Sequence, residues 1–149
     1  MNAVMDEVGL VMPRLATEEG FKAFLYDDAN DKPVKAPIGF ATIGFGCNVQ
    51  AGWTYPFALA VLRLQVLEVQ EKLLLQPWYL ACNAVRRSAL LDIGFNDGVD
   101  GLLGFHRMIA AILIGDWTTA QQECHVKNAV LKSRYDFLAN LLLTGVIGP

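Results

Sequence analysis

Serine occurs only twice in these 149 residues, as Ser88 and Ser133, both in helix-like stretches. That scarcity argues against a serine nucleophile with its His and Asp partners. Histidine is equally rare, at His106 and His125. The three cysteines, Cys47, Cys82 and Cys124, stand far apart with no CxxC pair. No recognised zinc spacing can be assembled from them, and they read as buried free thiols. No glycine-rich loop has the form that cradles phosphate. Neither metal nor cofactor is therefore expected. Positive charge is also short. Twelve Lys and Arg face fifteen Asp and Glu, for a net charge of −3 and pI ≈ 5.3. Nucleic acid is not an expected partner of such a surface.

Long apolar runs are missing too, although 54% of residues are apolar and mean hydropathy is +0.34. The longest uncharged apolar stretch, 137–149, is too short for a bilayer and contains Asn140, Gly145 and Gly148. His106 and Arg107 interrupt the other candidate, 102–115. The first residues carry Asp6 and Glu7, with no Lys or Arg before Arg14, unlike a secretory leader. The expectation is one domain without a transmembrane segment, monomeric and made in the cytoplasm. Carboxylates are what remain for chemistry.

Val4, Val8, Val11 and Leu15 recur at helical spacing, with Pro13 as a possible break and Gly20 as a stop. Phe24 to Tyr26 reads as extended, Asp27 to Pro37 as a turn-rich loop and Phe40 to Phe45 as a strand. A small antiparallel sheet is predicted here. Thr54 is a candidate N-cap with Pro56 in the first turn. Leu59, Leu62, Val66, Val69 and Leu73 continue that helix for about twenty residues, until Pro77. Further helices are predicted over Ala84–Phe95 (capped by Asn83, ended by Gly98), Phe105–Ile114, Trp117–Val126 and Tyr135–Leu143 (closed by Gly145). The sum is an α+β class. A small sheet-containing N-terminal lobe, about 15–53, would be joined by a long helix to an all-helical lobe, 54–149 plus the N-terminal helix.

Glu19 closes the first predicted helix, Asp28 follows nine residues on, and Thr42 lies beyond the loop in Thr42-Ile43-Gly44-Phe45-Gly46. Two carboxyls and a hydroxyl around one concavity suit glycoside cleavage. One carboxyl must donate a proton to the leaving oxygen while the other stays ionised. Apolar surroundings beside Leu15 and Phe21 would suit the donor. A solvated turn beside Lys22, Lys32 or Lys35 would suit the ionised partner. The spacing alone is also that of helix-end charges and ordinary turn residues.

The run from Glu19-Gly20 to Asp28, followed by Thr42-Ile43-Gly44-Phe45-Gly46, resembles the catalytic segment of the bacteriophage-type lysozymes. These are endolysin muramidases with an E-G-x(7)-D element and a T-I-G-x-G strand. Asn83 to Leu91, Phe95-Asn96-Asp97-Gly98, Gly104-Phe105 and Gly115-Asp116-Trp117 resemble the helical core of the same family, with Leu131, Arg134 and Leu143-Thr144-Gly145 fitting its last helices. The likeness spans roughly Leu15 to Gly145. It implies a lysozyme-like α+β fold and hydrolysis of the β-1,4 bond between N-acetylmuramic acid and N-acetylglucosamine. It makes Glu19 the general acid, Asp28 the second carboxylate and Thr42 the hydroxyl that helps hold the attacking water. Phe95 and Asn96 would line the saccharide cleft. The implied partner is peptidoglycan, reached through a holin-made lesion or from an infecting virion.

Three features depart from that pattern. Thirteen residues separate Asp28 from Thr42, so the segment 31–37 reads as an enlarged loop. Cys47 stands where the family's strand ends in His or Arg. All of the net negative charge lies in residues 1–75, which hold six basic and nine acidic side chains. Peptidoglycan is itself anionic, so that charge gives no steering. The alternative expectation is a wall-binding or virion structural module without turnover. A lytic transglycosylase would have no use for Asp28. Trp53, Trp78 and Trp117 read as packing anchors, and Arg86-Arg87 as partners of acids in the helical part.

Overall fold

The computed structural model describes residues 6–27, 32–34, 42–43, 47–49, 51–125 and 131–147; within these, the side chains of Asp27, Lys32, Pro33, Thr42, Ile43 and Cys47 are not described. Seven helices dominate them. In chain order they are α1 (Glu7–Glu19), α2 (Tyr55–Leu73), α3 (Pro77–Leu80), α4 (Ala84–Leu103), α5 (His106–Ile114), α6 (Trp117–Glu123) and α7 (Lys132–Thr144). Among the described residues, extended pairing is limited to two antiparallel pairs of two residues each. β1 (Tyr26–Asp27) pairs with β2 (Lys32–Pro33), and β3 (Thr42–Ile43) with β4 (Cys47–Asn48).

The α+β expectation is therefore corrected: the chain is mostly helical, and the described residues form no sheet-containing lobe. The physical reason is the length of the ladders. A two-residue strand has no face long enough to bury apolar area, and isolated two-stranded pairs are marginal in water. Pro33 stands inside β2 and brings no N–H to its ladder. Most of the strand expected over 40–45 lies outside the described residues, where only Thr42 and Ile43 are placed.

The helices follow local chemistry. Asp6 Oδ1 accepts from Gly9 N at 2.7 Å and starts α1. Pro13 does not break that helix. A proline ring in a helix interior costs about 3 kcal/mol, but Val8, Val11, Met12 and Leu15 are all buried on one stripe. Burial of such side chains contributes about 1.5–3 kcal/mol each, so packing wins. Thr54 accepts from Phe57 N at 3.4 Å at the start of α2, with Pro56 in its first turn. Pro77 opens the short α3 rather than merely ending α2, which stops at Leu73. Asn83 caps α4 by accepting from Arg86 N at 3.0 Å. That helix runs past Phe95, with a kink at Gly98, whose φ of 76° and ψ of 160° are not helical.

The chain divides into two compact units. One joins Met1–Leu15 to Arg63–Pro149; the other is Ala16–Leu62. In the first, α4 is central. Ala89, Leu90, Leu91, Ile93 and Gly94 are all buried. A run buried on every side is what a core helix needs. α7 packs on α4 and α6, and α5 packs on α6 and α3. A Cβ at Gly94 would lie 3.0 Å from Val69 Cγ1, so a hydrogen there lets α2 and α4 approach closely. No helix among the described residues is long and apolar enough to cross a membrane.

Candidate functional site

In the unit 16–62, Glu19 is the last residue of α1 and is exposed. Gly20 follows with φ 66°, a left-handed turn that releases the chain from the helix. Leu15, a turn earlier, is buried, but Phe21 is 40% exposed. Asp28 lies outside the described residues. Thr42 heads β3 opposite Asn48. Its backbone is placed and its side chain is not described. The described residues thus place Glu19 on a helix end and Thr42 on a short strand, and give no geometry that brings the three together.

The same unit holds a concentration of aromatic rings that the motif-based reading passed over. Phe21 packs edge-on against Tyr55 at 5.5 Å, and Trp53 against Phe57 at 5.0 Å. Lys22 Nζ stands 5.7 Å from the centre of the Tyr26 ring. Lys22, Phe24, Tyr26, Val49 and Trp53 are among the residues lining a pocket of about 300 Å3. Gly52 lies against Phe24. Its φ is 80°, and a Cβ there would meet Phe24 Cε1 at 2.7 Å. Trp53 N donates to the Ala23 carbonyl at 2.7 Å. Trp53 is thus a packing anchor that also lines a pocket. The signal for this cluster was the aromatic density of the segment 21–57.

In the other unit, Phe95 and Asn96 are half-buried neighbours on α4. Asn96 belongs to a polar chain that starts in the core. Asp92 is fully buried, one helical turn before Asn96. Arg14 Nε donates to Asp92 Oδ2 at 2.5 Å, and its Nη2 donates to the Ser88 carbonyl at 3.0 Å. From α7, Arg134 places Nε and Nη2 each 2.9 Å from Asp92 Oδ1. Arg134 Nη1 donates to Asn96 Oδ1 at 3.4 Å, and Asn96 Nδ2 donates to Asp97 Oδ1 at 2.6 Å. Tyr135 Oη donates to Asp97 Oδ2. Burial, and then the Asp97 carboxylate that accepts its proton's hydrogen bond, push the Tyr135 phenol above its ordinary range. Asp92 and Arg14 were not singled out from sequence as a pair, and Asp97 only as a member of the run Phe95 to Gly98. The available signal was an acid standing between Leu91 and Ile93 in a buried apolar run.

The remaining candidates fall into structural places. Arg87 Nη1 lies 3.4 Å from the buried Glu7, which also accepts from Gln70 at 3.0 Å. Arg86 binds backbone carbonyls of α7 rather than an acid. His106 and His125 line a pocket of about 320 Å3 with Arg107 and Glu123, which pair at 3.0 Å. Among the described residues, no group of three His, Cys, Asp or Glu side chains could hold a metal ion. Compared with known proteins, the chain matches no family model and no curated protein.

Proposed function

We propose that the chain is a muramidase that hydrolyses the β-1,4 bond between N-acetylmuramic acid and N-acetylglucosamine in peptidoglycan. One observation carries the reading. It is the ordered set Glu19-Gly20, Asp28 and Thr42-Ile43-Gly44-Phe45-Gly46, whose first member stands exposed at the end of a thirteen-residue helix. In this reading the Glu19 carboxyl gives its proton to the glycosidic oxygen as that bond breaks. Positive charge develops at the sugar carbon. A water held by Asp28 and Thr42 attacks from the opposite face, and its proton passes to Asp28. Such an enzyme, made in the cytoplasm, reaches the wall through a holin lesion during lysis or from an infecting virion.

Mass spectrometry of fragments released from purified peptidoglycan tests this. Reducing muramic acid ends are expected. Anhydro-muramyl ends would make the chain a transglycosylase instead.

A second reading has one observation in its favour. Glu19 lies exposed rather than in the apolar surroundings that a proton donor uses. A wall-binding or virion module without turnover needs no such surroundings. It predicts that the chain sediments with peptidoglycan and releases nothing from it.

A further inference from the structure

A singly exposed apolar side chain needs no special reason, because a protein has too little polar surface to cover itself. Aromatic rings gathered around one concavity do need one. Phe24 is 65% exposed and Tyr26 40%, and both line the pocket of about 300 Å3 that Val49 and Trp53 also line. The backbone builds this pocket. Trp53 N donates to the Ala23 carbonyl at 2.7 Å, which ties the segment 49–53 to the segment 22–26. The two segments run so close that only glycine fits at position 52. A Cβ there would lie 2.8 Å from the same carbonyl oxygen. Ala51 N donates to Asn48 Oδ1 at 3.3 Å, which closes the turn before it. Phe57, on α2, meets the Trp53 ring edge-on at 5.0 Å and braces the indole. Walls fixed before a ligand arrives lose little conformational freedom when it binds. All of these residues belong to the unit Ala16–Leu62.

Charge decides what would fill it. Among the described lining residues, Lys22 is the only charged side chain. Its Nζ stands 5.7 Å from the centre of the Tyr26 ring, so the ammonium is held beside the aromatic walls. An ammonium has three N–H donors, and a ligand carboxylate can join the contacts that Lys22 already makes. We propose that this pocket binds a small carboxylic acid with one aromatic ring, its ring among Phe24, Tyr26 and Trp53 and its carboxylate on Lys22. The size agrees. Ligand pockets run from about 300 to 1,000 Å3, and one at the lower limit takes a single-ring molecule. The apolar walls supply affinity, and the ammonium selects an anion. A neutral sugar would stack on the rings but leave the ammonium unmatched. The proposal is independent of the muramidase reading, since it uses none of Glu19, Asp28 and Thr42.

The test titrates the full chain with 3-phenylpropionate and follows the Trp53 indole N–H in 15N–1H spectra, assigned through Trp53→Phe. That signal should move, with a dissociation constant of about 0.1–1 mM, as suits so small a ligand. The uncharged 3-phenylpropionamide should move it too, but bind about tenfold more weakly, for want of the charge-assisted hydrogen bond. Lys22→Gln should weaken the acid about tenfold and leave the amide unchanged. Phe24→Ala should weaken acid and amide alike, about three- to tenfold, by removing one wall. Lys22 and Phe24 are both exposed, so neither substitution removes core packing; Lys22→Gln carries the test alone if Phe24→Ala does not fold. An unmoved Trp53 signal at about ten times the upper expected constant would overturn the proposal. So would equal affinity for acid and amide, wild-type affinity for the acid in Lys22→Gln, or a signal that moves with a chitin oligosaccharide and not with the acid. A chain that binds the acid and releases nothing from peptidoglycan would count against the muramidase reading alone.

Discussion

The guanidinium carbon of Arg86 lies 3.8 Å from the centre of the Trp117 ring. The same side chain closes the end of α7, with Nε donating to the Leu142 carbonyl at 2.8 Å and Nη2 to the Leu143 carbonyl at 3.2 Å. Asn83 adds a bond to the Gly145 carbonyl at 2.9 Å. One arginine on α4 thus ties the first residue of α6 to the last turn of α7.

Arg86→Lys should lower stability by about 1–3 kcal/mol, because an ammonium cannot stack flat on the indole and serve two carbonyls together. Gly145→Ala should lower it by about 1–2 kcal/mol, since φ is 66° and a Cβ would lie 2.7 Å from Arg86 Cζ. Urea unfolding measures both. Unchanged midpoints would show that Arg86 does not clamp α7.

Tyr79 presents the opposite case. It is fully buried, and its Oη has no hydrogen-bond partner among the described residues. A buried hydroxyl left unpaired forfeits about 1–3 kcal/mol of solvation. Tyr79→Phe should therefore leave stability unchanged or raise it. A clear fall in the urea midpoint would show a partner for that hydroxyl.

Burial raises the Cys82 thiol from its ordinary 9.0 to about 11 and the Cys124 thiol to about 12. In both the folded value exceeds the unfolded one, so the native state binds more protons in between. Stability from these groups is full below about pH 9 and is lost as pH rises through the folded values. The thermal midpoint should fall from pH 8 to 11, and Cys82→Ala/Cys124→Ala should flatten that fall. At pH 8 a thiol reagent followed by peptide mapping should leave Cys82 and Cys124 unlabelled until denaturant is added. Rapid labelling of either in the native protein would contradict their burial.

Much of the helical architecture was legible because it is written in local chemistry. Thr54 with Pro56 and Asn83 mark helix starts by what their side chains can accept or omit. Gly20, Gly98, Gly115 and Gly145 mark ends or a kink, and all four have positive φ. Pro13 misled as a possible break because a local rule was outweighed by a buried stripe formed with distant residues. The sheet was over-read because aromatic residues at 24–26 satisfy a strand pattern, whereas among the described residues only Tyr26 and Asp27 pair there, opposite a two-residue strand that contains Pro33. At the candidate site, Glu19 and Thr42 could be picked out by residue type and order. Asp92 was marked only by being an acid in an apolar run; its partners Arg14 and Arg134 are remote in sequence and meet it only in the folded core.

The muramidase reading also fixes stereochemistry. A water held by Asp28 and Thr42 needs carboxyls about 6.5–9.5 Å apart, whereas a nucleophilic carboxylate would stand about 5–5.5 Å from its partner. The first product should therefore show inversion at the anomeric carbon by proton NMR. Thr42→Glu would put a carboxylate near that carbon, and a trapped glycosyl adduct is expected on it. A retained anomer, or an adduct on wild-type Asp28, would contradict a water-mediated displacement.

Release of reducing ends from purified peptidoglycan, by the wild-type chain and by Glu19→Gln, tests the proposed activity most directly. The wild type should clear a wall suspension and release reducing muramic acid. Glu19→Gln, folded to the same melting temperature, should be slower by about a hundred- to ten-thousandfold, because an amide cannot supply the proton. No release by the wild type at any pH from 4 to 8, or equal release by both proteins, would contradict the account.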